Sequence, residues 1–153
     1  MNTFFMFSTL FAIVGGFFWG WLLKRIDAKR GLVLTLQIWC VLLFMVLLPL
    51  QKWHFWLLGP MTGIALGGVW SCDRPLLLNM IPKEEAGRFF GFYYLTGKIS
   101  SVIGPLLFGI ILSLPVADEI TRYKIAFGTL LAMTAAALFF IKKVQSRPHT
   151  NEG

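Results

Sequence analysis

Five apolar segments organise this chain: Thr3 to Leu23 without a charge, Leu32 to Leu50, Trp53 to Ile81, Gly87 to Leu114, and Tyr123 to Ile141. A helix rises about 1.5 Å per residue, so about 20 apolar residues cover the hydrocarbon of a bilayer, and each segment predicts a membrane-spanning helix. The third and fourth are longer than a crossing needs, which predicts tilt, a kink or extension beyond the hydrocarbon. The breaks between them are Lys24 to Gly31, Gln51 with Lys52, Pro82 to Ala86, and Pro115 to Arg122. None is long enough to separate domains. The pattern predicts one all-α, polytopic membrane domain over residues 1–153, with spans at 3–23, 32–50, 53–81, 87–114 and 123–141.

Composition narrows the function classes. Of 153 residues, 57% are hydrophobic and 14% charged, where a soluble domain keeps about a quarter of its residues charged. Mean hydropathy is +0.73. Disordered chains, disulfide scaffolds and soluble enzymes are poor readings of such a sequence. Lys+Arg 14 against Asp+Glu 7 gives a net charge of +7. In a soluble chain this excess would suggest nucleic acid; between apolar segments it reads as cytoplasmic loop charge, and no nucleic-acid partner is expected. Cys40 and Cys72 lie in apolar surroundings without a CxxC or a neighbouring histidine, so both read as small core or lipid-facing residues.

Basic residues prefer the cytoplasmic side of short loops. Lys24, Arg25, Lys29 and Arg30 follow the first segment, Lys83 and Arg88 the third, and Lys142, Lys143 and Arg147 the fifth. The remaining loops hold only Lys52, and Arg122 with Lys124. The bias predicts an N-terminus outside and a C-terminus inside, in a cytoplasmic (inner) membrane. The first segment has no positive residue before it, is long, and runs straight into Lys24 and Arg25, so it reads as a retained span rather than a signal peptide. Trp53 and Trp56 are expected at the outer interface, and Trp19 and Trp21 near the inner one.

Lys98 is the leading candidate for chemistry. It lies roughly 13 Å along a helix from Phe89, close to the midplane, where an ionisable group is costly and faces protein or water. At about 100° per residue, Gly87, Gly91, Tyr94, Lys98, Ser101 and Pro105 share one face. Tyr94, Lys98 and Ser101 are therefore expected to line a substrate pathway, and Gly104 with Pro105 to loosen the backbone as a hinge. The same face also suits helix packing, with Lys98 snorkelling to an interface or paired to a carboxylate. On the third segment Gly59, Gly63 and Gly67 form a GxxxGxxxG run that predicts close helix packing, a role extended to Gly91, Gly97 and Gly104. Asp73 and Arg74, near the cytoplasmic end of that segment, are candidates for a gate or charged contact, an interfacial arginine being the alternative. Neither a catalytic constellation nor a metal-ligand cluster stands out, and no enzyme activity, metal or cofactor is expected. Glu84 and Glu85, beside Pro82, are expected to face water or cap the following helix.

Two stretches resemble a known family. Gly67-Gly68-Val69-Trp70-Ser71-Cys72-Asp73-Arg74-Pro75, with Ile81-Pro82-Lys83-Glu84, Arg88-Phe89-Phe90-Gly91-Phe92-Tyr93 and Thr96-Gly97-Lys98 through Gly109, resembles the autophagy-related vacuolar amino-acid effluxers of the major facilitator superfamily. Gly20-Trp21-Leu22-Leu23-Lys24-Arg25-Ile26-Asp27-Ala28-Lys29-Arg30 is similar to the superfamily's cytoplasmic loop motif, GxLADRxGxKR. The resemblance makes Gly20, Arg25, Asp27, Lys29 and Arg30 the loop-motif residues. On the twelve-helix pattern the five spans correspond to helices eight to twelve, and the first seven are missing. The resemblance implies proton- or gradient-coupled export of a small solute such as an amino acid, in partnership with the missing transporter half or another copy of the chain. Asp73 and Pro75 stand where the family has serine, and Lys24 stands where the loop motif has aspartate, reversing the charge of a position thought to latch neighbouring helices. The reading from a different class is a non-transporting structural or accessory membrane subunit, or a gene remnant, packed through its glycine faces.

Overall fold

The computed structural model describes residues 2–48, 52–115 and 118–144. Its elements are α1 (Asn2–Leu22), α2 (Ala28–Leu47), α3 (Lys52–Met80), a single 3₁₀ turn (Lys83–Glu85), α4 (Ala86–Ser113) and α5 (Glu119–Lys143). Pro49, Leu50, Arg147 and His149 lie outside the described residues, as do the side chains of Lys52, Trp53 and Lys83. All regular structure among the described residues is helical, because apolar blocks of this length leave no other way to satisfy the backbone in lipid. Helix α2 starts ahead of its apolar block. Asp27 holds extended backbone angles at the cap, its carbonyl accepts the Gly31 N–H at 3.0 Å, and Ala28, Lys29 and Arg30 are absorbed into the first turn.

Helix α3 is the centre of the arrangement. It packs against α1 on one side and α2 on the other, and α2 packs in turn on α5. By length and composition α2, α4 and α5 suffice to cross a membrane, and α1 contributes a shorter apolar stretch, Ser8–Leu22. Helix α3, at 29 residues, is not among them. A helix flanked by two others needs small residues for close approach more than bulky apolar ones for lipid, and Gly59, Gly63, Gly67 and Gly68 replace that bulk.

The core lies where α1, α2 and α3 meet. Trp19, Thr35 and Cys72 are almost fully enclosed, the Thr35 hydroxyl donating to the Gly31 carbonyl at 2.9 Å. Leu42, Leu58 and Ala65 form a second cluster, flanked by Ile38, Trp39, Met45 and Val46. Trp19 turns into this core rather than outwards. Its ring is 2% exposed, and its indole N–H donates across the helix interface to the Ile64 carbonyl at 3.2 Å. Trp21, half exposed, keeps a surface position with the Arg25 guanidinium 4.7 Å above its ring.

Candidate functional site

Helix α4 carries the site, and it is held at few points. None of its residues is buried. Near its C-terminal end Phe108 meets Phe127 of α5 edge to face, with centroids 5.7 Å apart, and Arg122 Nη1 donates to the Leu112 carbonyl at 3.1 Å. Towards its start the Tyr93 hydroxyl donates to Asp73 Oδ2 on α3. The other oxygen, Oδ1, accepts the backbone N–H of Arg74 at 2.7 Å. Between these anchors α3 and α4 stand apart around a cleft of about 370 Å³ lined by Val69, Trp70, Asp73, Arg74, Tyr93, Tyr94, Gly97 and Lys98.

Four predicted residues thus come together: Tyr94 and Lys98 from α4, Asp73 and Arg74 from α3. Spacing explains the first pair, since positions four apart sit one above the other on a helix. Ser101 does not line the cleft; its hydroxyl turns back to the Lys98 carbonyl at 2.7 Å. Among the described residues no carboxylate forms an ion pair with Lys98. Gly97 lines the cleft, whereas Gly91 and Gly104 face open space, with nothing within 4 Å of a Cβ built on any of the three. The helix runs through Pro105 without interruption, although proline offers no N–H to the carbonyl one turn back.

Tyr93 was not singled out in the sequence. An aspartate within an apolar segment needs a donor, and two antiparallel helices joined by a tight turn bring residues equidistant from that turn together. Asp73 lies as far before Met80 as Tyr93 lies after Ala86. That register was a usable signal.

The glycine run on α3 meets α1. A Cβ on Gly63 would sit 2.3 Å from the Ser8 carbonyl oxygen, and one on Gly67 would sit 2.6 Å from both the Ala12 oxygen and the Gly16 nitrogen. A Cβ on Gly68 would meet the Trp19 indole at 2.7 Å and the Thr35 hydroxyl at 2.8 Å. Gly59 is buried on the same helix. The partner stripe on α1, Ser8, Ala12 and Gly16, is itself a small-xxx-small run that sequence inspection passed over. Beside this seam an apolar groove of about 570 Å³ is lined by residues including Ile13, Trp39, Leu66 and Trp70.

The loop-motif residues scatter. Lys29 reaches across to the end of α5, its ammonium donating to the Lys142 carbonyl at 3.5 Å and to that of Val144. These carbonyls belong to a helix C-terminus, which has no intrahelical donors left and carries partial negative charge. Arg25 rests on Trp21, Gly20 lines a shallow surface recess with Lys24, Asp27 caps α2, and Arg30 is exposed. Among the described residues no group of three or more His, Cys, Asp or Glu side chains is placed to hold a metal ion.

The cleft carries unlike charges between α3 and α4, beside the α1–α3 glycine seam. Comparison with known proteins supplies the family. The chain is 29% identical over 92 residues to an uncharacterized MFS-type transporter, YxiO, of Bacillus subtilis, covering 60% of this chain and 22% of that one. It is 28% identical over 162 residues to Autophagy-related protein 22 of Gibberella zeae, covering 92% and 23%. The match to Autophagy-related protein 22 of Kluyveromyces lactis is 31% over 88 residues, covering 58% and 17%. The chain spans less than a third of the length of each of these curated relatives. No solved structure matches it significantly. The family model for the Major Facilitator Superfamily matches residues 1–153, and the chain belongs to that superfamily of multi-pass membrane proteins.

Proposed function

We propose that this chain forms the C-terminal portion of a secondary-active transporter that exports a small solute of about amino-acid size, and that the α3–α4 cleft is its contribution to the solute path. The observation that carries the reading is the cleft itself. It gathers Asp73, Arg74, Tyr94 and Lys98 between apolar helices, and ionisable residues within membrane segments mark substrate and ion pathways. All five helices cross the bilayer in this reading, α3 included, since its neighbours α1 and α2 screen its less apolar faces. The N-terminus lies outside and the C-terminus in the cytoplasm. The contact between Lys29 and the end of α5 supports this orientation, because it puts the basic α1–α2 loop and the basic end of α5 on one side.

Transporters of this kind bind solute at the interface of two repeats, so a complementary half completes the cavity, with protons as candidate coupling ions. The test is efflux from vesicles holding this chain together with a separately expressed seven-helix N-terminal part from the same genome, loaded with labelled amino acids and organic acids. Lys98→Ala is expected to abolish efflux while leaving abundance and insertion unchanged. Undiminished efflux by that variant would overturn the assignment. Absence of efflux from the wild-type assembly would favour the accessory subunit.

A further inference from the structure

The start of α2 and the end of α5 meet at a place the solute path does not use. Lys29, in the first turn of α2, donates its ammonium to the Lys142 carbonyl at 3.5 Å and to that of Val144, at the close of α5. The contact draws together four cations, Lys29 and Arg30 from α2 with Lys142 and Lys143 from α5, and over residues 27–31 and 139–144 Asp27 is the one acid. Arg30, Lys142 and Lys143 are exposed. Like charges gathered this way repel one another, and an anion placed among them relieves the repulsion. One turn further into each helix the surface is apolar: Leu34 on α2, and Phe139 and Phe140 on α5, are exposed. The Lys143 ammonium lies 4.5 Å from the centre of the Phe139 ring, an apolar body with a charged tip at the level where hydrocarbon gives way to headgroups. Contacts between neighbours set four helices in the order α3, α2, α5, α4, and the cleft between α3 and α4 closes the ring. The α2–α5 seam therefore stands across the bundle from the cleft, and a complementary half that completes the cavity leaves this seam facing lipid.

We infer that the basic end of the α2–α5 seam binds an anionic phospholipid, with its phosphate among Arg30, Lys142 and Lys143 and its acyl chains along the exposed apolar residues below. Basic pockets between membrane helices recognise anionic headgroups in this way. Charge selects a phosphatidylglycerol headgroup over phosphatidylcholine, whose choline cation would stand among the basic side chains. Lys29 is a positioning residue: its ammonium is engaged by the α5 carbonyls, and that tie fixes the spacing of the two basic helix ends. The leaflet is the cytoplasmic one in the orientation of the preceding section, and the site itself is independent of what the chain transports.

The full chain in maltoside micelles is titrated with phosphatidylglycerol, with phosphatidylcholine and with glycerol 3-phosphate, a soluble headgroup analogue. Native mass spectrometry reads bound lipid, and hydrogen exchange reads the last turn of α5. Three double variants accompany the wild type: Arg30→Gln with Lys142→Gln, the charge-keeping Arg30→Lys with Lys142→Arg, and Lys24→Gln with Arg25→Gln. The last pair removes the same charge from the end of α1, where Lys24 lines a separate recess and Arg25 rests on Trp21. Phosphatidylglycerol is expected to bind at least about tenfold more tightly than phosphatidylcholine and to slow exchange over the last turn of α5. Neutralising Arg30 and Lys142 is expected to weaken it by about tenfold or more, while the charge-keeping pair and the α1 pair retain it. Equal loss in the two neutralised pairs would reduce the binding to diffuse surface charge, and loss in the charge-keeping pair would show that charge is not what the lipid reads. Phosphatidylcholine binding as tightly, or glycerol 3-phosphate slowing exchange at the same concentration, would remove the anionic lipid as the ligand. Each of these results overturns the proposal. No solute enters these measurements, so the efflux test stands or falls separately.

Discussion

Replacing Gly63 by alanine tests whether α1 and α3 are held by backbone contact. The added Cβ would lie 2.3 Å from the Ser8 oxygen, 3.0 Å from the Ala12 nitrogen and 3.2 Å from Phe11 Cβ, against an ordinary separation of 3.4 Å or more. The obstructing atoms are mostly backbone, so no side chain can swing aside and α1 must retreat by about 1 Å. A gap of that size forfeits roughly a quarter to a half of the dispersion energy of each contact along the seam. Overpacking of this kind costs about 1–3 kcal/mol, offset by up to about 1 kcal/mol from the better helix propensity of alanine. The net loss of about 1–2 kcal/mol lowers the melting temperature by about 2–8 °C for a chain of this size. Thermal unfolding in detergent micelles can be followed with a thiol-reactive dye, because Cys72 is free and fully enclosed beside the seam. Gly104→Ala, with open space around it, is the control and is expected to melt at or above the wild-type temperature. If Gly63→Ala and Gly104→Ala melt together, close packing of α1 on α3 is refuted.

Trp19→Phe keeps an aromatic ring in the core but removes the N–H donated to Ile64; a loss of about 0.5–1.5 kcal/mol is expected in the same melting assay. Tyr93→Phe removes the hydroxyl that ties α4 to Asp73, and spin labels placed on the facing halves of α3 and α4 are expected to report a broader distance distribution. An unchanged distribution would mean that the turn at Lys83–Glu85 alone sets the angle. Lys29→Ala strips the ammonium from the Lys142 and Val144 carbonyls, costing about 0.3–1 kcal/mol at a helix C-terminus. Faster hydrogen exchange over the last turn of α5 is the expected readout, with Lys29→Arg restoring protection.

The helices were legible because their apolar blocks are long and their breaks are marked by charges and prolines. The pairing of helices was less so. Hydropathy says that Trp19 and Trp21 are near a membrane edge, but not which of them turns inward; that depends on where α3 presents Gly68, a gap that an indole fills. The glycine run on α3 was visible, yet its mate on α1 is written with Ser8 and Ala12 as well as Gly16, so a search for glycine alone misses it. Within the site, Tyr94 and Lys98 followed from helical periodicity on one element. Tyr93 did not, because its role comes from the register between two elements, which a periodicity count on one helix does not contain. Asp73 reads as a gate or charged contact from its charge and place in the segment; its bond to the Arg74 N–H is local to α3, and the one to the Tyr93 phenol follows from the register across the turn after α3.

The pairing of α1 with α3 has a consequence for how the chain is made. Trp19 finds its acceptor at Ile64, 45 residues later, while α2 is threaded in between. At about 5–20 residues per second of synthesis, the small-residue face of α1 waits some 2–9 s in the bilayer or at the insertion machinery before its mate emerges. During that interval a chaperone, a lipid or another nascent chain can occupy the stripe. Slowing translation after α2 would lengthen this exposure, so yield in the membrane should depend on codon choice between α2 and α3 more than on codon choice after α3.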